Sequence, residues 1–316
     1  MPVLHLDLEP QQGSRLELHA FWDNPADYRS RLVDTEEIRQ VIAAIRQPYY
    51  DAQRDLRPED YRPLGIALYD WVNGEERWLD GAIAQHNGER LILAIAVELA
   101  HLPWELLHDG TQFLLERRIV PVRWKAQKSA GRQPLAIADQ PQNRALNLLF
   151  MAAAPEGGGS ELSFEDEESR IWKATAAERD KNLALQVEES GCLEELAQLL
   201  QQFDRGHFDI FHLTGHATAA GEAPYFATET ETGGLHQASA DDIARALQAR
   251  DGVRLVFLSG CETGKSGQGG AVPSLAEALL DQGQQAVLGW GQSVGDDEAT
   301  AMAAKLYEKL SQGSTV

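Results

Sequence analysis

Apolar positions fall into alternating, helical and unbroken runs along this chain, and the runs predict its elements. Leu4, Leu6 and Leu8, then Leu16 and Leu18, alternate with polar residues around Gln11-Gln12-Gly13-Ser14, the pattern of a hairpin. Ile38, Val41, Ile42 and Ile45 recur at helical spacing behind the cap Asp34-Thr35 and the acidic pair Glu36-Glu37, and Pro48 closes that helix. A second helix is expected over about 61–71. After the turn signal Asn87-Gly88, the run from Leu91 to Val97 predicts a buried strand, and Leu102-Pro103-Trp104-Glu105-Leu106-Leu107 a short helix with proline near its start. Asp109-Gly110 turns the chain into two strand-like stretches, Phe113 to Leu115 and Ile119 to Trp124.

Between Lys125 and Asn143 the chain becomes polar and rich in breakers, which sets a boundary: a first half over 1–125, a linker over 126–143 and a second half over 144–316. Strand and helix then alternate. Leu146 to Ala152 is a strand, followed by a helix near Ser163 with Glu165-Asp166-Glu167-Glu168 in its first turn. That acid run also suggests calcium, but it lacks the alternating spacing of a calcium loop. Leu183 to Val187 is a strand; Leu193, Leu196, Ala197 and Leu200 line one helix face; Phe208 to Leu213 is a strand ending in Thr214-Gly215-His216. Tyr225 to Leu235 predicts a hairpin turned by Gly233-Gly234, and the capping boxes Ser239 to Asp242 and Ser274 to Glu277 each open a helix. Val253 to Leu258 is a buried strand that stops in Ser259-Gly260-Cys261; Gln285 to Trp290 is another strand, and 297–310 a final helix. The alternation implies an α/β fold with a mainly parallel sheet and helices on both faces.

The composition narrows the class without deciding it. The chain has 316 residues, 43% hydrophobic and 24% charged, ample for a buried core. It lacks a membrane-length apolar run and a signal-like start, so a cytoplasmic location without membrane contact is the expectation. Two cysteines, Cys192 and Cys261, are too few for a disulfide framework. A net charge of -21 with no basic stripe argues against direct binding of nucleic acid and favours basic partners or plain solubility.

The chemistry concentrates at two strand ends. Cys261 and His216 each follow a buried strand, and in a parallel sheet ligands gather outside the carboxyl ends of the strands. A thiol and an imidazole there form a nucleophile and its base, or else two structural side chains; the residues alone leave both readings open. His212, inside its strand, reads as structural, and Cys192 as a small buried side chain. The segment Gly260 to Ser266 mimics a phosphate loop, but only three residues separate Gly260 from Gly264 where that loop needs four, and Pro273 delays the next helix.

The second half resembles the CHAT family, caspase-like peptidases related to separases and metacaspases. Phe211-His212-Leu213-Thr214-Gly215-His216 and Leu258-Ser259-Gly260-Cys261-Glu262-Thr263-Gly264 match its histidine and cysteine blocks, with 102–107, Trp290 and 297–300 as supporting matches, spanning about residue 64 to the end. Two features depart from the family: Ala217 stands where a glycine commonly follows the histidine, and no helical repeats are present. The resemblance implies a caspase-like fold preceded by a smaller, inactive protease-like half. It also implies a cysteine endopeptidase with Cys261 as nucleophile and His216 as base, and the backbone N–H groups of Ala217 and Cys261 facing the oxyanion. No metal or other cofactor is expected. A protein substrate and an activating protein or regulatory domain are expected as partners, in a defence or cell-death setting, with a non-proteolytic interaction module as the alternative. Cleavage after Arg or Lys would place Asp296 and Asp297 at the substrate pocket; the same acids also suit the first turn of the last helix.

Overall fold

In the computed structural model, the described residues are 2–11, 15–34, 36–37, 40, 43, 57–85, 89–96, 102–124, 134–135, 144–157, 162–177, 182–218, 223–248, 253–261, 274–291 and 294–314. They fall into two compact units, 1–140 and 141–316.

In the first unit β1 (Val3–Pro10) and β2 (Arg15–Phe21) form the expected hairpin, and β3 (Tyr28–Asp34) extends it antiparallel to β2. The other edge of β1 pairs in parallel with β4 (Leu91–Ala96), and β4 with β5 (Ile119–Trp124), giving the order β3-β2-β1-β4-β5. Helix α1 (Pro58–Asn73) starts at a proline whose missing N–H costs nothing in a first turn. With α2 (Trp78–Ala84) it packs Leu68, Tyr69, Val72, Leu79 and Ile83 onto Leu4, Leu6, Leu91 and Leu93. The helix expected over Ile38, Val41, Ile42 and Ile45 lies outside the described residues. Leu102 to Leu107 forms a 3₁₀ turn over Trp104–Leu106. Phe113 to Leu115 is not a strand: Phe113 makes one bridge to His108, and Leu114–Arg117 turns as 3₁₀ helix. There the Glu116 carboxylate accepts the Phe113 N–H, closing the turn on itself before a ladder can extend.

The second unit is built on five parallel strands: β6 (Leu146–Ala153), β7 (Leu183–Glu188), β8 (Ile210–Gly215), β12 (Leu255–Ser259) and β13 (Ala286–Gly289), in the order β13-β12-β8-β6-β7. Strand β8 begins at Ile210 rather than Phe208; just before it the Asp209 carboxylate accepts from Arg144 twice at 2.7 Å and from the Asn147 N–H at 3.0 Å. Strands with both faces covered read as unbroken apolar runs, as β8 and β12 do. On one face Ile171 of α3 (Phe164–Ala174) and Ala303, Tyr307 and Leu310 of α7 (Asp296–Ser311) pack on Phe150, Ile210, Leu255 and Phe257. On the other, α4 (Leu193–Leu200), α5 (Ala240–Leu247) and α6 (Leu275–Asp281) cover Leu149, Met151, Phe211, Leu213, Val256 and Leu258. Both capping boxes form: Ser239 accepts from the Asp242 N–H and Ser274 from the Glu277 N–H. Between β8 and α5 the chain adds a small antiparallel sheet of β9 (Ala217–Thr218), β10 (Tyr225–Glu229) and β11 (Leu235–Ala238). The resulting architecture is a caspase-like α/β fold, a parallel sheet flanked by helices on both faces.

Candidate functional site

The strand order reverses between β6 and β8, so connections on the two sides of that point run apart and leave a crevice at the carboxyl ends. His216 directly follows β8 at this edge, and Cys261 follows β12, the next strand over. The two strands pair with a constant offset, from Leu255 opposite Ile210 to Ser259 opposite Thr214. Cys261 and His216 each lie two residues beyond the last pair, past the ends of these neighbouring strands. Parallel neighbours in register point to the same face, because side chains alternate with a period of two. For Thr214 and Ser259, the last pair, that face is the one covered by α3 and α7.

Close backbone packing holds this junction. A side chain on Gly215 would meet the Ala153 carbonyl oxygen at 2.8 Å and the Phe226 ring at 2.9 Å. One on Gly260 would meet Phe226 at 2.6 Å and Ala217 Cβ at 2.9 Å. Both glycines therefore let the two strand ends close around the buried Phe226 of β10, and Gly260 brings the cysteine turn against the histidine turn. The His216 carbonyl accepts the Ala227 N–H at 2.8 Å, and Ala217 is paired opposite Phe226. In an antiparallel ladder bonded and non-bonded pairs alternate, so this pattern turns the Ala217 N–H away from β10. Cys261 is half-buried, and its thiol donates to the Val294 carbonyl oxygen at 3.8 Å, just before α7 begins. His216 is half-buried as well. Cys192 is buried at the start of α4; its Sγ lies 3.1 Å from Glu194 Oε2, and burial raises its pKa.

Asp296 and Asp297 occupy the first turn of α7, which Gly295 caps. Asp296 Oδ2 accepts the Ser163 N–H at 3.1 Å, and Asp297, 87% exposed, accepts from Arg170 at 3.0 Å. Arg170 also pairs with Asp166 at 2.7 Å, so these acids tie the starts of α3 and α7 together two to three residues from the carbonyl that holds the thiol.

The sequence reading passed over Glu167. It took the acid run of α3 as a helix-end feature, yet Glu167 is only 4% exposed. Burial pushes its pKa up to about 7 against hydrogen bonds from Thr214 and Ser259, with the charge of Asp296 adding to the rise. The available signal was helical spacing: Glu167 and the buried Ile171 are four apart and share the inward face of α3. Beneath it His212 is fully buried, stacked on Phe257 with ring centroids 4.5 Å apart and edge-on to Phe150. Burial lowers the His212 pKa to about 3, so its ring is neutral, and its 3.5 Å approach to Glu167 is not an ion pair.

Among the described residues no group of three or more His, Cys, Asp or Glu side chains could hold a metal ion, and no helix is long and apolar enough to cross a membrane. Compared with curated proteins, the chain matches none. Compared with protein families, residues 62–316, well over half the chain, match the CHAT domain. With that match and the parallel sheet beneath these two strand ends, the chain belongs to the CHAT domain family, which is caspase-like and protease-related.

Proposed function

We propose that the protein is a cysteine endopeptidase in which Cys261 and His216 act as a dyad. The observation that supports this reading is the pairing of β8 with β12, whose carboxyl ends are followed by His216 and Cys261 at the open edge of the sheet. His216 takes the proton of the Cys261 thiol, and the sulfur adds to the carbonyl carbon of the scissile peptide. The oxygen of that adduct is stabilised by the backbone N–H groups of Ala217 and Cys261. Collapse of the adduct breaks the C–N bond as His216 gives the proton to the leaving nitrogen, leaving a thioester on Cys261. His216 then takes a proton from water, whose oxygen attacks the thioester and releases the acid and the free thiol.

The residue before the cut is Arg or Lys in this reading. Support comes from Asp296 and Asp297, close in sequence to the Val294 carbonyl that touches the thiol, and from the net charge of -21, which attracts basic segments. Since Arg170 already pairs with Asp297, the exposed Asp296 is the better partner for a substrate cation. The substrate is a protein, the first unit serves as a scaffold, and an activating protein or regulatory domain controls the site in a cytoplasmic defence or cell-death system.

A second reading, a non-proteolytic interaction module, draws on the thiol's bond to Val294 rather than to an imidazole. Peptides carrying a thiol-reactive acyloxymethyl ketone distinguish the two. An Arg-terminated reagent should modify Cys261 and not Cys192, and His216→Ala should slow the modification by about a hundredfold. Equal labelling of the two cysteines, indifferent to His216, would favour the module; preferential labelling by an Asp-terminated reagent would remove the basic specificity.

A further inference from the structure

The cluster beneath the dyad contains an acid that the peptidase reading leaves without a task. Along β8, Ile210, His212 and Thr214 point toward α3 and α7, as do Leu255, Phe257 and Ser259 along β12. Two residues further along the chain come His216 and Cys261, beyond the paired ends of the two strands. The Ser259 hydroxyl donates to Glu167 Oε1 at 3.4 Å, and Thr214, whose hydroxyl donates to the Ser259 carbonyl oxygen at 3.5 Å, also interacts with that carboxyl. A single side chain from α3 therefore grips both strands immediately before they deliver the dyad.

We propose that Glu167 is a positioning residue for Cys261 and His216, clamping the two strand ends through Ser259 and Thr214 and setting the local charge by gaining or losing its own proton. The proposal rests on the dyad reading and deepens it. With the proton in place the carboxyl is neutral, and its hydroxyl is an additional donor to the cluster. Loss of the proton puts a negative charge below the dyad, where it favours the imidazolium form of His216 and opposes the thiolate form of Cys261. Because burial raises the proton affinity of Glu167 so that it changes state at about pH 7, this change falls within the working range.

The groups facing this carboxyl come from four elements. His212 of β8 approaches it at 3.5 Å, while His216 and Cys261 follow the ends of β8 and β12. Asp296 and the buried Tyr307 belong to α7, and both interact with its charge. On α3 itself, Asp166 and Arg170 are paired with each other. His212 stays neutral across this range, and Tyr307 is held well above its ordinary value by burial and by the nearby Glu167.

The test is the pH dependence of Cys261 alkylation by iodoacetamide in the intact chain, wild type against Glu167→Gln. Alkylation needs no substrate, so absence of peptidase activity would count against the dyad's proposed function and leave this measurement able to decide the clamp. In the wild type the rise of rate with pH should be blunted near pH 7, where the new charge opposes thiolate formation. In Glu167→Gln the profile should follow one ionisation, with a rate about three- to tenfold higher at pH 8. Superimposable profiles, within about twofold throughout, would overturn the proposal.

Infrared spectroscopy of the wild type keeps the question decidable should the variant fail to fold. A protonated-carboxyl C=O band present near pH 6 and lost by about pH 8, in step with the blunting, supports the clamp; a wild type with no such band, or with an unblunted profile, overturns it.

Discussion

Replacing Glu167 with glutamine should tilt the stability of the second unit against pH, because two buried neighbours now oppose each other. Glu167 has its pKa raised from 4.5 to about 7 by burial, and His212 has its own lowered from 6.5 to about 3. Between pH 4.5 and 7 the folded state holds a proton on Glu167 that the unfolded chain has lost. Stability from this group is therefore complete below pH 4.5 and falls as pH rises through about 7. His212 has the opposite sign: its contribution is complete above pH 6.5 and is lost as pH falls through about 3. Each slope is about 1.4 kcal/mol per pH unit, so the two cancel over the window they share. Glutamine keeps the shape of the protonated side chain and removes one slope. The stability of Glu167→Gln relative to wild type should rise by about 3 kcal/mol from pH 4.5 to 7, a difference in which groups that do not interact with Glu167 drop out. Residue-resolved hydrogen exchange of the buried β8 and β12 amides, run across a urea series, reads the unfolding free energy of this unit apart from the first. A difference that stays flat within about 0.5 kcal/mol would refute the argument and mean that Glu167 binds its proton alike in the folded and the unfolded chain.

Other perturbations have equally definite outcomes. Gly260→Ala forces a methyl group to within 2.6 Å of the fully buried Phe226 and should cost about 1–3 kcal/mol in denaturation, while lowering Cys261 reactivity toward a peptidyl reagent about tenfold or more. Unchanged reactivity would mean that the cysteine turn is not fixed by this contact. Asp209→Ala leaves Arg144 without its two 2.7 Å acceptors and the Asn147 N–H without its 3.0 Å acceptor, and should destabilise the second unit by about 3–5 kcal/mol in the same exchange assay; a loss under about 1 kcal/mol would contradict the assignment of a buried anchor. Ser274→Ala removes the acceptor of the Glu277 N–H and should cost about 1 kcal/mol in urea denaturation without altering Cys261 alkylation.

The parts of the site that could be read from the sequence are those whose signal is local. Phe211 to His216 and Leu255 to Cys261 announce themselves as apolar runs that stop in glycine and a reactive side chain, because strands covered on both faces have no polar positions to spare. That the strands leading to Cys261 and His216 are neighbours depends on which strands pair, and the order β13-β12-β8-β6-β7 is set by packing rather than by any single stretch. Glu167 escaped notice because an acid in a first helical turn already has a sufficient local explanation; its burial arises only when α3 settles over Thr214 and Ser259. Strand β3 was missed for a related reason: Tyr28-Arg29-Ser30-Arg31-Leu32-Val33-Asp34 is a polar edge whose one buried residue is Val33, so it carries little alternation to detect. Helix α2 is seven residues long and shows too few periods to separate from a turn.

The central claim, that Cys261 and His216 cut protein chains, is tested most directly by sequencing the new chain ends that appear when the protein is incubated with extract of its own cells, chosen to offer the proposed substrate and activator. Wild type should generate a restricted set of new amino termini, each preceded by Arg or Lys, that is absent with Cys261→Ala and with His216→Ala. The same set of new ends from wild type and from Cys261→Ala would contradict it.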